Sequence, residues 1–193
     1  CNIQLDVSKT YTDIKWLHKD PSPCIWPPRG LWKAVEVGIS RSVSQLNGEL
    51  QQRDSFVPHG QCANVHVGGH VQSGGGWGML GRSCGLLGDY VTAIRVITAD
   101  GPNKTCSPAR WIERNTTDPK ERELFWAVLG GSPGNFAVLT HLRLSVSVAE
   151  AREHLLLLML HAGAFVETGV TPAVLVAICS TAGTSITMRI LCI

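Results

Sequence analysis

Four side chains able to bind a metal or attack an electrophile crowd into one short stretch: His59, Cys62, His66 and His70. Zinc would need all four to converge on one tetrahedron. Val65 and Val67 alternate as a brief strand with a core-facing side, which points His66 the other way. His70 lies beyond the Gly68–Gly69 pair. No metal site is therefore expected. Cys62 by itself is open to three readings: a small buried residue, half of a disulfide, or a nucleophilic thiolate.

Directly downstream the glycines gather. Nine of the chain's 20 glycines lie in the 21 residues from Gly68 to Gly88, a density that serves positive φ angles or close approach to backbone. Gly76, Gly78 and Gly81 fit the GxGxxG spacing of a dinucleotide site, with Asp100 at a suitable distance for a ribose. Such a motif must open a helix toward the pyrophosphate. Gly85 and Gly88 interrupt that helix, at about 1 kcal/mol each relative to Ala. Gly76 to Ser83 also approximates a P-loop, but Arg82 stands where a compact lysine ammonium is needed.

The whole chain must position these groups. Its 193 residues are 44% apolar and 17% charged, with a formal net charge of +2. That composition supports a hydrophobic core and argues against disorder. Seventeen basic against fifteen acidic residues leave no electrostatic footprint for nucleic acid. The seven cysteines contain no CxxC spacing, and their odd number leaves one thiol outside any intramolecular disulfide scheme. Two sequons, at Asn103 and Asn115, lean toward a secretory history. Cys1 in place of Met, with no leader pattern behind it, reads as a fragment or a trimmed product.

Periodicity supplies the elements. Ile3, Leu5 and Val7 suggest a short strand, and Pro21, Pro23, Pro27 and Pro28 a loop. Ala34 to Ile39 alternates as a strand. Ser42 is placed to cap a helix carrying Val43, Leu46 and Leu50 and ending near Arg53. Val91 to Thr98 is a β-branched strand followed by a hairpin signal at Asp100–Gly101. Residues 102–122 read as polar loop, and Glu123 to Leu129 as a short helix stopped by the Gly130–Gly134 run. Leu139 to Val148 alternates as a strand with one wet side. Thr168 to Met188 carries no charge, yet seven Ser/Thr residues, Pro172 and Gly183 make it a marginal membrane span.

Two long strings carry a resemblance. The run from Val57 through Cys62, Gly68, Gly69, His70 and the glycine tract to Asp89, and the run from Glu123 through Gly130, Gly131, Pro133, Gly134 and Asn135 to Thr140, occur in that order. Together they resemble the flavin-binding domain of the FAD-linked oxidases. This is the PCMH-type, vanillyl-alcohol-oxidase-like domain, in the berberine bridge enzyme and oligosaccharide oxidase branch. The similarity spans about residues 31–148.

The resemblance implies an α+β fold, mainly the second subdomain of that domain: an antiparallel sheet flanked by short helices. It divides the chain into an N-terminal remnant and Pro-rich connector (1–30), the FAD-binding region (31–148) and an unmatched apolar tail (149–193). The implied cofactor is FAD, held by Cys62, Val67, Gly68, Gly69, His70, Gly74, Gly75, Gly76, Gly78, Gly130, Gly131, Asn135 and Val138. Glycines there admit backbone N–H groups close to a flat, pyrophosphate-bearing ligand. In this branch a cysteine at the place of Cys62 forms a thioether to the flavin ring. The implied chemistry is hydride transfer from an alcohol, sugar or amine to FAD and then to dioxygen. The histidyl attachment segment, the substrate domain and its catalytic base have no match here, so no catalytic residue is assigned and the fragment is expected to be inactive. The alternatives are a remnant without activity and a Rossmann-type module. The expected partners are FAD and, for the parent enzyme, a small-molecule substrate, with no nucleic acid and no membrane.

Overall fold

Strand β2 (Trp32–Gly38) turns Val35 and Val37 to one side, and β5 (Val138–Ser147) turns Leu142 and Leu144 to the same side directly opposite them. All four side chains are fully buried. With β1 (Ile14–Leu17), β3 (Val91–Ile97) and β4 (Arg110–Glu113) they form a five-stranded sheet in the order β1-β2-β5-β3-β4. Every neighbouring pair is antiparallel. The computed structural model describes residues 5–17, 32–53, 55–99, 106–131 and 133–147. The Pro-rich connector, the Asp100–Gly101 turn, Asn103 and the tail from 148 onward lie outside these residues.

Helix α1 (Val43–Gln51) begins where the sequence places it. The Ser42 hydroxyl accepts from Gln45 N–H, and the Gln45 side chain accepts from Ser42 N–H, a complete capping box. Helix α4 (Pro119–Val128) is capped by Asp118, with Pro at its first position. Leu46 and Leu50 of α1, Val67 and Val71 of the short helix α2 (Val67–Gln72), and Phe125 and Val128 of α4 join Val35, Ile94 and Leu142 in one core. Each such side chain contributes roughly 1.5–3 kcal/mol of burial.

The antiparallel sheet with short helices is the expected α+β class. A Rossmann unit is excluded here, because β3 has antiparallel neighbours and α3 (Gly81–Cys84), the helix at Gly81, is only 4 residues long. Four local expectations are corrected. Among the described residues the first strand is at Ile14–Leu17, and Leu5 to Val7 are not in a strand, with Leu5 exposed; Ile3 lies outside the described residues. Val67 opens α2 instead of ending a strand, because Val67 N–H and Gly68 N–H are taken by Arg41 O and Ile39 O. The polar stretch 102–122 contains β4 and the first turn of α4.

The fourth correction concerns β5, whose second side is not wet. His141, Arg143 and Ser145 are all buried, since β5 is the central strand. Glu36 on β2 and Glu113 on β4 both pair with Arg143, at 2.9 and 2.7 Å. The guanidinium also lies 4.7 Å over the Trp111 ring. Burial works against the Arg143 charge, but the hydrogen bonds and charges of the two glutamates outweigh it and raise its pKa.

Candidate functional site

The backbone of Gly60 is gripped at both of its polar atoms. Its N–H donates to His70 Nε2 at 2.9 Å, and its carbonyl accepts from His59 Nδ1 at 2.7 Å. Both rings therefore carry their proton on Nδ1. Burial depresses the His59 pKa against the opposing pull of Gly60 O; burial and then the His59 charge depress that of His70. Two residues along the same turn, Cys62 is exposed to solvent.

The glycines divide by what forces them. Gly74, Gly75 and Gly76 hold φ of 69°, 78° and 80°, which side chains rarely adopt. The carbonyls of Gly75 and Gly76 accept from Gly88 and Leu87 at 2.8 and 3.2 Å, which ties the tract to a 3₁₀ turn at Leu87–Tyr90. Gly130, at φ 103°, lies against this tract: a Cβ there would sit 3.2 Å from Gly75 N. Gly131 is bridged to Ser73. The two glycine strings, more than fifty residues apart in sequence, thus pack against each other, with Gly74 and Gly131 exposed and Gly75 and Gly76 buried.

Other glycines are required by packing within the chain. A Cβ on Gly68 would lie 2.5 Å from Ile39 Cβ, and one on Gly78 would collide with His59 O. A Cβ on Gly131 would collide with Ala127 O. Gly69 differs: its φ is ordinary, it is exposed, and nothing lies within 4 Å of its missing Cβ. Neither backbone strain nor a neighbour among the described residues accounts for it.

The structure therefore brings together Gly60, His70, Gly74, Gly75, Gly76 and Gly78, with Gly130 and Gly131 against them. Val67 is in the core and offers no side chain to a ligand. Asn135 is exposed, and Val138 is half-buried at the start of β5 opposite Ile97. Exposed Trp77 and Met79 flank the tract. Among the described residues no group of three or more His, Cys, Asp or Glu converges for a metal, and no helix is long and apolar enough to cross a membrane. Sequence reasoning missed the roles of His59 and Gly60, although the His-Gly pair at 59–60 was visible. It also missed Arg114, whose guanidinium donates to the carbonyls of Gly88 and Asp89, each at 2.7 Å. A cleft of about 630 Å³, lined in part by Thr98, Arg110, Lys120 and Phe136, opens elsewhere on the surface.

No family model matches the chain. Aclacinomycin-N/aclacinomycin-A oxidase of Streptomyces galilaeus is 38% identical over 84 residues, covering 44% of this chain and 15% of that protein. FAD-linked oxidoreductase penO of Penicillium crustosum is 34% identical over 113 residues, covering 58% of this chain and 23% of the relative. Berberine bridge enzyme-like 18 of Arabidopsis thaliana is 34% identical over 109 residues, covering 55% and 18%. The chain thus spans less than a quarter of the length of these relatives. Among solved structures, GilR, an oxidoreductase of gilvocarcin biosynthesis, superposes with a TM-score of 0.57 at 30% identity over 69% of this chain and 24% of its own. The flavoenzyme CrmK gives 0.53 at 38% identity over 57% and 22%. The chain is homologous to the FAD-linked oxidoreductases and berberine bridge enzyme-like proteins, and it shares the fold of part of the FAD-binding oxidases.

Proposed function

We propose that residues 31–148 form part of the FAD site of a flavin-dependent oxidoreductase. The single observation that carries this reading is the glycine surface. Gly69 and Gly74 expose backbone with no atom of a described residue in the place of a side chain, and Gly130 lies against the same tract. A flat ligand with a pyrophosphate needs such an approach. The residues present therefore fit FAD. Gly69, Gly74, Gly75 and Gly76 would hold it from one segment, and Gly130, Gly131 and Asn135 from the other.

Bound FAD supplies hydride acceptance and the return of two electrons to dioxygen. The chain's part is to bind and orient the ring. His70 keeps its proton on Nδ1, the nitrogen that Gly60 N–H does not occupy, and exposed Cys62 is placed for a thioether to the ring. The donor in the whole protein is an alcohol, sugar or amine; these 193 residues alone give no turnover, and a panel of such donors yields no donor-dependent hydrogen peroxide. Exposed Asn115, in the turn after β4, carries the proposed secretory history, which a glycosidase-sensitive mass would support.

The test is to express the full chain with ample flavin, denature it in acid and weigh the Cys62 peptide. Added mass equal to FAD supports the reading. A clean apo mass, together with no FAD binding before denaturation, favours the alternative, a remnant that has lost the cofactor.

A further inference from the structure

His70 occupies a slot made for it. A Cβ on Gly60 would lie 2.8 Å from its Cε1, and one on Gly76 would lie 3.4 Å from its Cδ2 and Nε2. The ring is thus bounded by two residues without side chains, one in the Cys62 turn and one in the glycine tract. Its Nε2 takes the Gly60 N–H, so only an unprotonated Nε2 fits. Gly60 O is held in turn by His59 Nδ1. The carbonyl of Cys62 then accepts from Val65 N–H at 3.3 Å, and Val65 O accepts from Val43 N–H at 2.8 Å at the start of α1. The turn that carries the thiol is therefore anchored at two points, and His70 is the one that connects it to the glycine tract.

We infer that His70 is a positioning residue for flavin attachment, setting the Cys62 turn against the glycine tract through its hydrogen bond from Gly60. This rests on the flavin reading above. In the step it serves, the Cys62 thiol adds to a carbon of the oxidised ring. The S–C bond forms, and the thiol proton and the displaced ring proton end on the two-electron-reduced flavin. Dioxygen then takes the electron pair and both protons as hydrogen peroxide, leaving the thioether and oxidised flavin.

Two variants separate position from folding. His70→Gln keeps an acceptor near the Nε2 position, whereas His70→Phe keeps the ring's bulk and removes the acceptor. Amide exchange at Gly60 is expected to be at least about tenfold faster in His70→Phe and within about threefold of wild type in His70→Gln. At saturating FAD, the first-order rate of attachment to Cys62 falls about tenfold or more in His70→Phe and recovers in His70→Gln. Saturation separates this rate from affinity. Unchanged Gly60 exchange in His70→Phe, or equal attachment rates in His70→Phe and wild type, would overturn the role of His70 alone. A wild-type chain that takes up no flavin overturns the flavin reading and this role with it.

Discussion

Arg114 and Gly88 are joined across the site: Arg114 Nη2 donates to Gly88 O, while Gly88 N–H donates to Gly75 O at 2.8 Å. One arginine on the β4 side therefore reaches the glycine tract through a single residue. Its other terminal nitrogen, Nη1, holds Asp89 O. The 3₁₀ turn is the link, and its carbonyls are fixed by a charged donor, worth roughly twice a neutral one.

Replacing Arg114 by Ala should loosen this link while leaving the sheet ladder in place. The expected effect is a stability loss of about 1.5–3 kcal/mol from the charged hydrogen bonds, with faster amide exchange at Gly88. Arg114→Lys, which cannot span both carbonyls in a fork, recovers less than half of the loss. Urea unfolding with residue-resolved exchange checks both statements.

Gly69 and Gly48 provide a matched pair. Neither has an atom of a described residue within 4 Å of its missing Cβ, and neither has a positive φ. Gly48→Ala in α1 should stabilise the chain by about 1 kcal/mol through helix propensity and leave FAD binding unchanged. Gly69→Ala should also be neutral or stabilising for the fold, yet it should weaken FAD at least about tenfold, because a methyl group there occupies the ligand's space. Thermal unfolding and FAD titration of the two variants decide the matter. Equal flavin affinity would remove Gly69 from the site.

Acid should weaken the Cys62 turn before it touches the sheet. The pKa values of His59 and His70 are both depressed below 6.5 in the folded chain, so the unfolded chain binds more protons in that range. Their contribution to stability is fully present above about pH 6.5 and is lost as pH falls through the depressed values. Urea midpoints measured from pH 7.5 down to 5 should decline, and the decline should be smaller in His70→Gln.

Arg143 tests the buried side of the sheet. Arg143→Met should cost about 3–5 kcal/mol, because Glu36, its side chain only 16% exposed, is left without its partner. Adding Glu36→Gln to that variant should restore part of the loss. A cost in Arg143→Met below about 1 kcal/mol would mean that the pairing is solvent-screened.

The sheet was legible where sequence pattern and burial agree. Ser42 and Gln45 announce α1, and the runs at Val91 and Leu139 announce β3 and β5. The rest depended on tertiary partners. Val65 and Val67 alternate like a strand, but backbone donors at Val67 and Gly68 are claimed by Arg41 and Ile39, and a helix follows. Arg143 and Ser145 read as a wet side because polar spacing alone does not reveal a salt bridge reached across Ala93 from β5 to β4. In the site, glycine density marked the right segments. It could not separate Gly68 and Gly78, forced by Ile39 and His59, from Gly69, which nothing among the described residues forces. The His59–Gly60–His70 arrangement was missed because its spacing was weighed only as a metal site.

The central claim is that the two glycine strings form one flavin surface, and hydrogen exchange of the full chain with and without saturating FAD tests it most directly. The account predicts added protection in both segments, residues 60–76 and 130–135, and none in β1. Protection confined to the cleft near Arg110 and Lys120, or no protection at all, would contradict it.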